Sequence, residues 1–444
     1  MKNPIRIALF FALTILFATA CKRSLNNDDD TDVVVPIGER ETIIVDKNIT
    51  TTTTWAVNKR YLIKGFVYVE EGATLNIEAG TIIKGDKVSK GTLIVKPGAK
   101  ILAIGTKDLP IVFTSNQAKG SRNYGDWGGL IVLGKGVVNK TPATIEGENI
   151  TTFGGANNAD NSGILKYVRI EFAGIAFETD KEINGLTLGG VGSGTEIDYI
   201  QVSHNGDDGF EWFGGSVNAK HLISFKNLDD DFDTDWGFSG KVQFGYIFRD
   251  PNIADQCSCS DSNAFESDND ASGSNAEPQT SALFSNVSVI MGEGTPNTKF
   301  RSAFRIRRNS AISIYNSVVV AGFNKGGLEL EGTATQANFT GGKSNFKGLV
   351  LAGMTKPLVT GDEAMLKDAS RANTFGAEVA SLGLAANYNV LSGKPARLLA
   401  SGSTLLSGAV AVPAGLETTT YKGAFGTTDW TEGWANFDPQ NTDY

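Results

Sequence analysis

Cysteine and histidine are nearly absent from this chain: three Cys and two His among 444 residues. A disulfide framework needs more thiols, and a four-thiolate zinc site cannot be assembled from three. Cations are in deficit too, with 40 Lys and Arg against 49 Asp and Glu, a net charge of -9. Proteins that grip a phosphate backbone carry the opposite sign, so nucleic acid is excluded as a partner. Charged residues are only 20% of the chain, too few for a coiled coil. The apolar run at the start, Ile7 to Phe17, is too short for a stable membrane span. Glycine is abundant instead, at 52 residues, and 25 Phe, 10 Tyr and 6 Trp supply a core and argue against disorder.

The first segment is an address. Lys2 and Arg6 precede the apolar run, which ends Ala18-Thr19-Ala20-Cys21, so residues 1–20 read as a signal peptide. Small residues directly before a Cys resemble a bacterial lipoprotein cleavage site, which implies lipid on Cys21 and attachment to the outer membrane. Ala18 stands where Leu is commoner, which leaves ordinary signal-peptide cleavage as the alternative. Residues 21–58 read as an acidic tether and N-terminal cap, because Asp28-Asp29-Asp30-Thr31-Asp32 stays solvated and extended. Acidic residues close behind a lipidated Cys also resemble surface-export signals, which would place the protein on the outer face. Cys257 and Cys259 are left for a tight local disulfide that trims the entropy of an insertion loop, or for a redox role.

Internal repetition organises the rest. Val69-Glu70-Glu71-Gly72-Ala73-Thr74-Leu75 recurs 26 residues on as Val95-Lys96-Pro97-Gly98-Ala99-Lys100-Ile101. Ile197-Asp198-Tyr199-Ile200-Gln201-Val202 recurs 22 residues on as Ala219-Lys220-His221-Leu222-Ile223-Ser224. Such a unit holds three short strands with alternating inward and outward positions, and buries nothing alone. Stacked on its own copies about 4.8 Å apart, it closes a continuous core. A propeller blade needs a period of about 40 to 50 residues, so the period favours a coil.

The fold class expected is therefore all-β, a single-stranded right-handed parallel β-helix (solenoid) with loop insertions, over residues 59–444. Asp362 to Arg371 is the best helical stretch. Trp430 and Trp434 offer a C-terminal aromatic cap for the open end. Trp127-Gly128-Gly129-Leu130-Ile131, Gly190-Val191-Gly192-Ser193-Gly194-Thr195 and Gly206-Asp207-Asp208-Gly209-Phe210-Glu211-Trp212 resemble the pectate-lyase-like right-handed β-helix superfamily, and within it a group of Gram-negative outer-membrane lipoproteins.

The 22-residue offset maps Asp207 to Asp229, Asp208 to Asp230 and Glu211 to Asp233. Carboxylates stacked about 4.8 Å apart repel and raise one another's pKa unless a cation intervenes. All-oxygen ligands suit a hard cation, and calcium takes six to eight of them in loose geometry; the alternative is that these Asp cap backbone amides in the coil turns. The clusters are similar to the calcium site of family 9 polysaccharide lyases. That resemblance implies metal ligands among Asp207, Asp208, Asp230, Asp231, Asp233 and Asp235, and a Lys base beside a uronate. No Lys sits in the expected place; the weak candidates for a catalytic base are Lys241, Arg305 and Arg307. Trp212 and Trp236, with Glu266, Asp268 and Asp270 of the third cluster, are candidates for substrate binding, although interior aromatic columns explain the two Trp equally well.

Two functions stand at this point. The first is a cell-surface, lipid-anchored β-helix that binds carbohydrate or another extracellular polymer with calcium at the stacked Asp cluster; its enzymatic form is a calcium-dependent polysaccharide lyase. The second is a non-catalytic accessory or adhesin lipoprotein that partners outer-membrane uptake proteins.

Overall fold

A computed structural model describes residues 39–145, 148–178, 181–255, 261–395 and 401–444. Residues 1–20, read above as a signal peptide, Cys21, the Asp28–Asp32 run and the Cys257/Cys259 pair lie outside the described residues.

Ten short strands stack in chain order, all parallel, into one sheet: Phe66–Val69, Thr92–Val95, Gly129–Leu133, Leu186–Gly189, Phe210–Phe213, Phe232–Asp235, Phe265–Ser267, Ser302–Ile306, Gly326–Leu330 and Leu358–Thr360. The remaining strands of each coil build a larger, seventeen-stranded sheet. This is the all-β parallel β-helix, and crossovers between parallel strands of one sheet take the right-handed sense. Alternation is the local cause. Thr74–Ile77 and Phe66–Val69 bury every second side chain. Gly72 and Gly98 turn the corners between strands with φ of 83° and 84°, which a Cβ would strain.

The larger sheet bends along a line of residues in the left-handed region. Tyr167, Tyr199, His221, Phe244 and Asn286 have φ between 50° and 63°, each in the middle of a long strand. Pairing resumes in register on both sides of the bend, as in Lys166↔Asp198 and Val168↔Ile200. Ring stacking helps to offset the backbone strain: Tyr167 on Tyr199 at 4.4 Å, Tyr199 on His221 at 4.2 Å and His221 on Phe244 at 5.0 Å. His204 occupies a second left-handed column, stacked on Phe172 at 5.2 Å. Burial pushes its pKa down to about 3. Both histidines are thus bend residues.

Three features differ from the expectation. The stack begins before residue 59, because Glu41–Val45 pairs with Lys59–Ile63 and Thr53–Trp55 with Thr74–Ile77. The helical stretch splits into Glu363–Leu366, capped by Asp362, and a 3-10 turn at Ala369–Arg371. The C-terminal segment does not plug the end of the stack. It returns along the flank as a strap, where Trp430 meets His221 edge-on at 5.2 Å and Trp434 meets Tyr167 and Tyr199 at 5.9 Å. Further on, Tyr444 Oη donates to the buried Glu171 at 2.6 Å. The aromatic bend column gives these rings a larger apolar surface than one terminal coil could.

Candidate metal site on the smaller sheet

One outward row of the smaller sheet runs Tyr68, Ile94, Ile131, Thr187, Glu211, Asp233, Glu266, Arg305, Glu329. The neighbouring inward row runs Val67, Leu93, Leu130, Leu186, Phe210, Phe232, Phe265, Phe304, Leu328. The outward row changes character half way. Its apolar first half is covered by the hairpin that starts at Ala143–Ile145, whose Ala143, Ile145 and Phe153 pack with Ile94, Ile131 and Trp236. Where that cover ends, three carboxylates stand on consecutive coils.

The turn before each strand adds to the charge. Asp208 Oδ1 accepts from the Asp230 backbone N–H at 2.8 Å, and Asp230 accepts in turn from the backbone and side chain of Asn263. These bonds are coil-to-coil turn caps. They also hold the acids together: carboxylate oxygens of Asp207, Asp208 and Asp229 lie within 4.8 Å of one another, as do those of Asp208, Glu211 and Asp233. Asp208 belongs to both groups.

Burial pushes the Asp208 carboxyl well above the usual range, and Asp207, Asp230 and Asp233 push it further. Asp233 rises for the same reasons, burial first and then Glu266 and Asp268, with Arg307 opposing. Its Oδ1 is buried and accepts no hydrogen bond. Asp235, the next outward position, is pushed up to about 8 by burial and by Asp268. A buried carboxylate oxygen without a donor is costly unless it is protonated or meets a cation. These oxygens can hold a metal ion.

Residues 47–393 match the family of pectate-lyase like beta helix domains. The chain belongs to that family. No curated protein and no solved structure matches it.

The other candidate residues of this β-helix family member fall into distinct surroundings. Asp231 turns inward and pairs with Arg249 at 3.2 Å, both side chains wholly buried, and accepts from Ser224. It belongs to neither acidic group, and nor does Asp230. Asp229 and Glu211 do, and the 22-residue offset is the signal that pairs both with the named acids. Glu266 pairs with Arg305 at 2.9 Å and with Arg307, while Asp268 pairs with Arg307 at 2.8 Å and Arg308 at 2.6 Å. The third cluster is therefore neutralised. Asp270 closes its own turn through Ser272 and Ser274, whose hydrogen bonds outweigh burial and hold it at about 2.

Trp212 is wholly buried between Phe210 and Phe238, so it shows no ring face to a ligand. Trp236 is 5% exposed, packed on Phe213 and covered by the Lys140 ammonium at 3.8 Å. Lys241 opens a strand of the larger sheet, away from the acidic row.

Proposed function

We propose that this protein is a lipid-anchored, cell-surface β-helix that binds an acidic polysaccharide along the smaller sheet, with calcium held by Asp207, Asp208, Glu211, Asp229 and Asp233. The observation that carries the reading is the buried, undonated Oδ1 of Asp233, set between Glu211 and Glu266 in the outward row. An all-carboxylate donor set fits a hard cation, and the loose spacing fits calcium better than magnesium. When bound, the ion would neutralise the row and offer open coordination positions to a uronate carboxylate. Beyond Asp233 the row continues through Glu266 to Arg305, which is already paired with Glu266 and Glu331.

Binding is favoured over lysis. A lyase needs a base, and among the described residues the cations around the acids are already engaged: Arg249 with Asp231, Arg305 with Glu266, Arg307 with Glu266 and Asp268, and Lys140 over the Trp236 ring. Those contacts hold the Arg307 guanidinium in its charged form, against the opposing effect of burial. Anchoring rests on Ala18-Thr19-Ala20-Cys21, and surface display on the acidic run behind it. The accessory role beside an outer-membrane uptake protein is compatible with the same site.

The test is retention on immobilised polygalacturonate and alginate, with calcium and with chelator, while ultraviolet absorbance follows unsaturated products. Calcium-dependent retention without product is expected. Retention that ignores chelator would discard the metal, and steady product formation would replace binding by lysis. Radiolabelled palmitate incorporation that persists in Cys21→Ser would remove the anchor.

A further inference from the structure

Charge is divided unevenly along the stack. Residues 39–126, which form the first coils, carry 13 Lys and Arg against 9 Asp and Glu; residues 127–444 carry 23 against 36. The surplus of cations gathers on one outward flank of the larger sheet. Tyr61, Ile83 and Phe113 face the core, so the residues that alternate with them face out. One outward row runs Ile44, Leu62, Lys84, Thr114, and the row beside it Thr42, Arg60, Ile82, Val112, Arg169. Diagonal neighbours in such rows stand about 7–8 Å apart, which puts Arg60 in the field of Lys84.

Four cations here face one carboxylate. Arg122 joins the flank from the loop after Ile111–Ser115, donating to the carbonyls of Pro439 and Thr442 at 2.5 and 2.9 Å. Carbonyls satisfy its hydrogens without cancelling its charge. Glu171 is wholly buried, accepts from Thr114 Oγ1 at 2.9 Å and has Arg169 Nε 3.5 Å away. Among the described residues, no hydrogen bond or ion pair engages Lys84 Nζ. Burial, Arg60 and Arg122 push its pKa down to about 8. An ammonium so placed gains from an anion brought up from outside. The strap covers the flank from Glu171 onward, whereas Ile44, at the other end of the row, is 48% exposed.

We infer that this flank docks on a surface of phosphate-bearing lipid headgroups, with Arg60 and Lys84 against the phosphates and Ile44 in the interfacial layer. A lipid surface fits better than one small anion for two reasons. The surplus charge is spread over several coils rather than focused in a pocket, and an exposed isoleucine beside cations gains from an interface. The acidic row lies on the other sheet, clear of the contact. Docking of this kind needs neither lipid on Cys21 nor calcium at the acidic row.

The experiment follows acylation of individual lysines of the full chain by a water-soluble amine reagent, read by mass spectrometry. It is run in chelator on phosphatidylcholine vesicles and on vesicles that also contain phosphatidylglycerol. Lys84 should react about fivefold more slowly on the anionic vesicles, since one cation at such a surface is worth about 1 kcal/mol. Lys356, exposed on a late coil, should react equally on both. Raising NaCl from about 20 mM to about 150 mM should remove most of the protection. Arg60→Gln should reduce it at an unchanged melting temperature, and Ile44→Ser gives the same comparison should that variant fail to fold. Asp233→Asn should leave it intact, whatever becomes of polymer retention. The inference is overturned by equal reactivity of Lys84 on the two vesicles, by protection that ignores salt, or by protection that neither flank variant alters. Loss in Asp233→Asn alone would overturn it too, as would equal protection by inorganic phosphate without vesicles, which would make this an ion site.

Discussion

Asp231 and Arg249 form an ion pair 3.2 Å apart in which neither side chain reaches solvent. Arg249 also donates to the carbonyl of Asp229, so the pair props the acidic turn from beneath. Removing one member of a buried pair strands the other and costs about 3–5 kcal/mol. Asp231→Ala should therefore lower stability by that amount in a denaturant titration, and Arg249→Met in the same background should recover part of it. The stabilisation by calcium should persist in Asp231→Ala. If it vanished while the metal-free stability stayed put, Asp231 would be a ligand.

Asp233 predicts the reverse pattern. Its carboxylate has Glu211 and Glu266 as registered neighbours, so Asp233→Asn removes a repulsive charge from a buried row. The metal-free protein should melt at the same temperature or higher. Calcium, which at a hundredfold excess over its dissociation constant adds about 2.7 kcal/mol, should lose most of that effect in the variant. Differential scanning with and without chelator reads both. An undiminished calcium shift in Asp233→Asn, or none in the parent protein, rules the site out.

Some of this was legible from residue order and some was not. Stacking at 22 residues pairs Glu211 with Asp233 and Phe210 with Phe232, because identical turns leave the strand register no freedom. The same offset cannot say where Asp231 points. Inside a turn the two-residue alternation stops, and Arg249, its partner, sits on the other sheet with no periodic relation to it. Trp212 follows the alternation and is interior for that reason, two positions after Phe210. The strap has no repeat of its own. Its course depends on the column of left-handed aromatics, which appears in the sequence only as scattered Tyr, His and Phe.

Acid should stabilise the metal-free protein. The Asp235 carboxyl is pushed up to about 8, and burial together with like charge raises Asp208, Asp230 and Asp233. A carboxyl whose folded pKa exceeds its unfolded value, about 3.9, stabilises the fold fully below that value. The contribution is lost as pH climbs towards 8. In chelator, the melting temperature should thus fall between pH 5 and pH 8. Calcium should raise it more at pH 8, where no proton competes for the oxygens. Glu329, held at about 2 by Arg301, Lys325 and Ser302 despite burial, acts in the opposite sense but only at lower pH. A melting temperature that is flat or rising over this window would contradict the raised values.

The strap should come away as a unit. Trp434 is wholly buried, lies edge-on to Tyr167 and Tyr199, and donates through Nε1 to the Trp430 carbonyl at 2.8 Å. Trp434→Ala leaves a cavity worth about 3–5 kcal/mol. In a solenoid each coil is stabilised mainly by its neighbours, so that loss need not spread into the stack. Limited proteolysis should cut between residues 401 and 444 on the order of a hundredfold faster in the variant, leaving a resistant coil fragment. Gln243→Ala, which loses both hydrogen bonds to Glu417, should loosen the same segment less. Cooperative digestion of the whole chain, with no coil fragment surviving, would mean that the strap and the stack unfold together.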